Sequence, residues 1–235
     1  MGLCAGAGLI VALPAIGCGP AAKDKTPPVS AAATPAREPA AAPRASNRDR
    51  SGPTVLFIGT SLTAGLGLQA DQAYPALVQA SADSAGKPIT AINAGVSGET
   101  SAGALNRIGW VMREPADIVV IETGANDALR ALPVAEARSN ISRILDAVKR
   151  ARPDARIFLV QMEAPPNLGQ QYTRAFHDMY GEVAREKGAT LIPFLLDGVA
   201  GIPSLNQADG VHPNFRGEQI VARNVWRALE PAIPR

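Results

Sequence analysis

The stretch VLFIGTSLTAG, residues 55–65, decides how the rest of the chain is read. Four consecutive apolar residues point to a strand covered on both faces, not an alternating, half-exposed one. Gly59 ends the run, and Ser61 stands at the turn into a set of small residues. At such a turn the backbone N–H groups point toward any negative charge that develops nearby. Taken alone, Ser61 is as readily a turn or N-cap residue. Strand, tight turn and exposed hydroxyl together make a place for a nucleophile, provided a base takes its proton.

Length and composition frame that reading. A chain of 235 residues suits one catalytic domain with accessories, and a hydrophobic fraction of 46% is ample for its core. Aromatics at 4% leave that core to Ala, Val, Leu and Ile. A net charge of +2 supplies no basic field for a nucleic-acid partner. Cys and His do not cluster at metal-ligand spacing, so no metal site is expected. His177 and His212 are the two histidines, so imidazole chemistry has two candidates.

The N-terminal part reads as targeting and spacer. Residues 5–17 form an apolar run of 13, too short for a bilayer and the right length for a secretory signal. The run ends in Ala-Ile-Gly-Cys at 15–18, which resembles the lipobox of bacterial lipoproteins, with Ala15 where that motif usually has Leu. The resemblance implies acylation of Cys18 and a membrane tether. The plainer alternative is an ordinary cleaved signal with an incidental cysteine. Residues 19–52 are rich in Pro and Ala, carry six basic against three acidic side chains and show no apolar periodicity. Such composition cannot bury enough surface to fold and reads as a disordered spacer. The expected organisation is a signal peptide over 1–18, a linker over 19–52 and a folded domain over 53–235. The expected location is the cell envelope, on the periplasmic side.

From Pro53 onward, apolar runs alternate with helical patterns. Strands are expected at 54–58, 89–93, 118–122, 157–162 and 190–192, and helices at 74–84, 102–113, 134–151, 171–187 and 214–229. Pro133 and Pro213 stand where helices begin and Gly188 where one ends. This alternation predicts an α/β doubly wound parallel sheet with right-handed crossovers, five strands suggesting a flavodoxin-like order. Ligands bind such folds at the carboxyl ends of the strands, near a topological switch point. The unusual residues fall there: Ser61, then 93–98, then 124–127, then the loop over 193–213. That last loop exceeds the usual connection length, a mark of function in compact domains.

Asp209 and His212 occur in DGVHP, 209–213. A spacing of three lets the carboxylate reach one imidazole nitrogen while the other faces a serine, which holds the tautomer and steadies the imidazolium. Each could also be an ordinary loop residue. Gly98 offers a backbone N–H with no side chain in the way, and Asn126 a side-chain amide at a strand end; both are also common turn residues. With the Ser61 N–H they would make a three-donor oxyanion hole, each donor worth about 3–4 kcal/mol in turnover. His177 falls inside a helical pattern and reads as a packing or surface residue. Residues 163–169 (EAPPNLG) follow the fourth strand at the same rim and are expected to line a groove.

Four segments resemble the four sequence blocks of the SGNH or GDSL hydrolase superfamily: GTSLTAG (59–65), NAGVSGET (93–100), ETGAND (122–127) and DGVHP (209–213). Their order and spacing cover nearly all of 54–229 and are similar to the branch of periplasmic thioesterases, lysophospholipases and arylesterases. The resemblance implies a three-layer α/β/α fold and an enzyme that cleaves acyl esters or thioesters. It makes Ser61 the nucleophile, Ser61, Gly98 and Asn126 the oxyanion donors, and Asp209 and His212 the rest of a triad. No metal or organic cofactor is implied. Thr60 stands where the GDSL motif has Asp, so hydrogen bonding behind the serine must differ. Alternatives are a carbohydrate O-deacetylase of the same superfamily, a non-catalytic envelope lipoprotein, or a nucleotide-binding α/β module. For the last, Gly65-Leu-Gly67 is only a fragment of a phosphate loop.

Overall fold

The structure is a computed structural model that describes residues 52–234, together with Gly2. The chain divides into two units, Met1–Arg44 and Ala45–Arg235, and every strand and helix named below belongs to the second. The expected signal segment, Cys18 and the linker up to residue 51 lie outside the described residues.

Five parallel strands form one sheet: β1 (Thr54–Gly59), β2 (Thr90–Gly95), β3 (Ile118–Ile121), β4 (Arg156–Val160) and β5 (Thr190–Ile192). Their spatial order is β2-β1-β3-β4-β5, the flavodoxin-like arrangement expected from the alternation. Burial explains why β1 and β3 are apolar throughout. From Val55 to Ile58 and from Ile118 to Ile121 every side chain is buried, because helices cover both faces. β2 is an edge strand and is correspondingly half exposed.

The helices are α1 (Ser61–Ala64), α2 (Tyr74–Ser84), α3 (Ser101–Val111), α4 (Ala125–Leu129), α5 (Val134–Ala151), α6 (Gln170–Lys187) and α7 (Phe215–Leu229). α2 packs on α7, while α3, α5 and α6 pack side by side. Right-handed crossovers put these two groups on opposite faces of the sheet. α5 buries Ala137, Ile141, Ile144, Leu145 and Val148, the i, i+3, i+4 stripe of a surface helix. Periodicity does not foretell the short helices α1 and α4, because it needs more than one turn to register. Both begin where β1 and β3 end, at the point where the strand order reverses.

One polar link joins the helices of the first face. Glu218, on α7 and 1% exposed, accepts the backbone N–H of Tyr74 at 2.8 Å. That N–H belongs to the first turn of α2 and has no partner within its own helix. Burial lifts the Glu218 carboxyl from its ordinary 4.5 to about 8, against the pull of that hydrogen bond. Because the folded-state value lies above the unfolded one, folding takes up a proton between them. The contribution of Glu218 to stability is therefore fully present below about pH 4.5 and is lost as pH rises toward 8. Glu218→Gln keeps an acceptor for Tyr74 and removes the proton linkage. The wild type is expected to lose about 2.5 kcal/mol more than the variant between pH 5 and 7. Urea unfolding of both proteins across that range checks it.

Candidate active site

The turn after β1 is built around a buried carboxylate. Glu122 directly follows β3, has no exposed surface, and its backbone N–H continues the ladder to Ile58 at 2.8 Å. It accepts the Thr60 N–H at 2.8 Å, the Thr60 hydroxyl at 3.0 Å and the Thr63 hydroxyl at 2.9 Å. Since the Thr63 proton goes to Glu122, the Tyr74 hydroxyl donates to Thr63 at 2.8 Å. Burial pushes the Glu122 carboxyl up, and the three donors oppose that push.

Gly59 is required for the arrangement. A Cβ there would stand 1.9 Å from the Thr63 hydroxyl and 2.7 Å from a Glu122 oxygen. Thr60 therefore has a defined task in place of the GDSL aspartate: it donates to Glu122, where an aspartate would set a second carboxylate against the first. Thr60 stays extended and Ser61 opens α1.

Ser61 is 8% exposed, and its hydroxyl meets His212 Nε2 at 2.8 Å across 151 positions of chain. His212 Nδ1 meets Asp209 Oδ2 at 2.6 Å. A carboxylate only accepts, so Nδ1 carries the proton and Nε2 is left to accept the Ser61 hydroxyl proton. The other Asp209 oxygen takes the backbone N–H groups of Val211 and His212 at 2.9 and 3.0 Å. The His212 amide above all, then its imidazole and the Val211 amide, hold the Asp209 carboxyl down at about 2. Asp209 is thus charged at neutral pH.

Gln207 anchors this loop from both sides, donating to Leu66 O at 2.7 Å and to Pro213 O at 2.9 Å. Its backbone N–H also bonds the His212 carbonyl at 2.7 Å. The histidine turn is thereby tied to the segment just past Ser61.

The loop between β2 and α3 is clamped by Arg107. Its guanidinium pairs with both Glu99 oxygens at 2.7 Å and reaches Ala94 O at 2.8 Å and Gly59 O at 3.3 Å. The clamp leaves Gly98 at φ +76, a left-handed conformation in which a side chain would be strained. Asn126, on α4, donates its amide to Glu99 O at 3.0 Å, leaving one of its two N–H bonds without an acceptor among the described residues. Asp127, next to it and buried, accepts both the N–H and the hydroxyl of Ser101. The segments carrying Gly98 and Asn126 are therefore bonded to each other.

Ser61, Gly98, Asn126 and His212 all line one cleft of about 580 Å³. Its remaining wall is chiefly apolar, with Leu62, Leu66, Leu129, Met162, Phe194 and Leu196. Glu163, Ala164, Pro165 and Pro166 contribute too, so the first four residues of the 163–169 segment line the groove and the last three do not. Leu66, Leu129 and Val211, at its mouth, are 44%, 54% and 41% exposed. His177 is exposed as expected, yet it is not idle: its Nδ1 meets Glu163 at 2.7 Å. Sequence reasoning passed over Glu122, Arg107, Gln207 and this Glu163–His177 pair. An acid closing the wholly apolar run IVVI was a readable sign of Glu122.

Residues 57–220 match the GDSL-like lipase/acylhydrolase family. The chain belongs to that family. It is 38% identical to the esterase TesA of Pseudomonas aeruginosa over 77% of its own length and 89% of that protein's. It is 33% identical to the thioesterase 1/protease 1/lysophospholipase L1 of Escherichia coli K12, over 77% of its length and 85% of the relative's. Among solved structures, it superposes on AlinE4, an SGNH-hydrolase family esterase, with a TM-score of 0.65 and 40% identity, covering 79% of this chain and 99% of that one. The fold and the enzyme class follow: this is a carboxylic ester hydrolase of the SGNH type.

Glu122→Ala removes the acceptor of three donors at once. It should destabilise the domain by about 3 kcal/mol or more and lower ester turnover in the fraction that folds. Glu122→Gln retains an acceptor oxygen and should recover part of both losses. Thermal unfolding with an active-site titration separates the two effects.

Proposed function

We propose that the chain cleaves acyl esters and thioesters by a Ser61–His212–Asp209 triad, with Ser61 N–H, Gly98 N–H and the Asn126 amide as the oxyanion hole. The observation that carries the reading is the pair of contacts on the imidazole, 2.8 Å to Ser61 and 2.6 Å to Asp209. His212 Nε2 takes the hydroxyl proton as Ser61 Oγ bonds to the substrate carbonyl carbon, and Asp209 steadies the imidazolium so formed. The imidazolium then gives its proton to the departing alcohol or thiol. Water, deprotonated by the same nitrogen, cleaves the acyl-serine and releases the acid.

The oxygen that becomes negative needs donors without competing acceptors. The Ser61 N–H has no acceptor within the four residues of its helix. Among the described residues, Asn126 keeps one free N–H while Glu99 O holds the other. The apolar wall favours an aliphatic or aryl acyl group. It gives a sugar ring few polar partners, which weighs against the polysaccharide O-deacetylase alternative.

The reading extends to location. The apolar run 5–17, the Ala-Ile-Gly-Cys ending and the Pro/Ala-rich spacer support a protein acylated at Cys18 and held at the envelope, its hydrolase domain reaching substrates near the bilayer. Intact-mass analysis of membrane-extracted protein should show a chain beginning at an acylated Cys18; an unmodified Cys18 removes the tether.

Ser61→Ala should leave the far-ultraviolet spectrum and melting curve unchanged and cut hydrolysis of p-nitrophenyl butyrate by at least about 10⁴-fold. Labelling of the wild type, but not of this variant, by a fluorophosphonate probe is expected alongside. Retained turnover would defeat the assignment.

A further inference from the structure

The cleft contains one acidic side chain that the proposed reaction does not use. Glu163, just past β4, lines the same space as Ser61 and His212, and every other lining residue save His212 is apolar or neutral. A lone carboxylate in such a wall needs a reason.

Its hydrogen bonding is one-sided. Oε1 receives Gln161 Nε2 at 2.7 Å and His177 Nδ1 at 2.7 Å. Both groups must donate, because a carboxylate only accepts, so Nδ1 of His177 carries a proton. The 2.9 Å approach between Gln161 Nε2 and His177 Nδ1 is then two donors converging on one oxygen. Among the described residues no donor reaches Oε2. The side chain is 33% exposed, and among the described residues no cation other than His177, when protonated, pairs with it. The carboxylate is held from one side and left with an open oxygen on a side chain that faces the cleft's contents.

We propose that Glu163, braced by Gln161 and His177, is a charge-selective subsite. It favours acyl esters carrying an ammonium group on the portion that reaches this wall, and it disfavours those carrying a carboxylate or phosphate. The proposal rests on the hydrolase reading and adds the substrate class to it. An ammonium needs only acceptors, and Oε2 is a free one beside aliphatic side chains that suit its methylene or methyl groups. An anion meets a fixed like charge beside an apolar wall.

The test compares charge at constant shape. One series places it on the acyl chain: p-nitrophenyl esters of 4-(trimethylammonio)butyrate, of its neutral tert-butyl isostere and of glutarate. The other places it on the leaving group: butyrylthiocholine against the 3,3-dimethylbutyl thioester. In at least one series the wild type should prefer the cation to the neutral isostere about tenfold in kcat/KM, with the carboxylate disfavoured where it is tested. Glu163→Gln, which keeps an oxygen for Gln161 and His177, should bring that ratio within about threefold of one. Glu163→Lys should invert it. Because each ratio is taken within one protein, a general loss of activity or folding cancels. Raising NaCl to 0.5 M should shrink the wild-type preference, as screening of a partly exposed charge requires. Ratios near one in both wild-type series, or a ratio that Glu163→Gln leaves unaltered, overturns the proposal. Failure of the wild type on the neutral ester would instead sink the hydrolase reading itself.

Discussion

Glu122 is where the sheet and the turn carrying Ser61 are joined. Its carboxylate lies wholly out of water between the ends of β1 and β3, and it holds the turn carrying Ser61 through Thr60 and Thr63. A buried acid costs free energy unless its oxygens are satisfied, so three donors are committed to it. That commitment dictates the rest locally: no Cβ at position 59, hydroxyls at 60 and 63, and the Tyr74 phenol behind them. The polar chain continues to α7, where Glu218 receives the Tyr74 amide. A site at the rim of the sheet is thus anchored in the interior of the domain.

The fold was legible because its signals are local. An apolar run such as 118–121 has few ways to be buried other than as a central parallel strand. The stripe of α5 shows its face over five turns. Boundaries differ by a residue or two: β2 runs on to Gly95, since the carbonyls of Gly59 and Ala94 are held together by Arg107. α1 and α4 are a turn long and follow the ends of β1 and β3; Glu122 holds Thr60 and Thr63 around the first and Asp127 ties the second to Ser101, a tertiary cause with no periodicity of its own.

Legibility of the site follows the same division. Asp209 and His212 are three apart, so their contact is a local turn and can be read from spacing. Ser61 can be matched to them only through a fold that brings distant strand ends together. Gln207 and the Glu163–His177 pair are ordinary letters in the sequence, and Glu122 signals its burial there but not its partners. Their meaning lies in partners 59 to 62 positions away for Glu122 and 141 away for Gln207, and in the two elements that bring 163 and 177 into contact.

Asp209 and His212 share one turn of chain, while Ser61 belongs to another. Asp209 grips the amides of Val211 and His212 as well as the imidazole, so the dyad moves as one piece. Its attachment to the serine side is separate, through Gln207 and the Leu66 carbonyl. A displacement of the 193–213 loop would therefore carry Asp209 and His212 together and break only the Ser61 contact. Under the proposed triad, the separation between these two preassembled halves would then govern turnover while each half stayed intact.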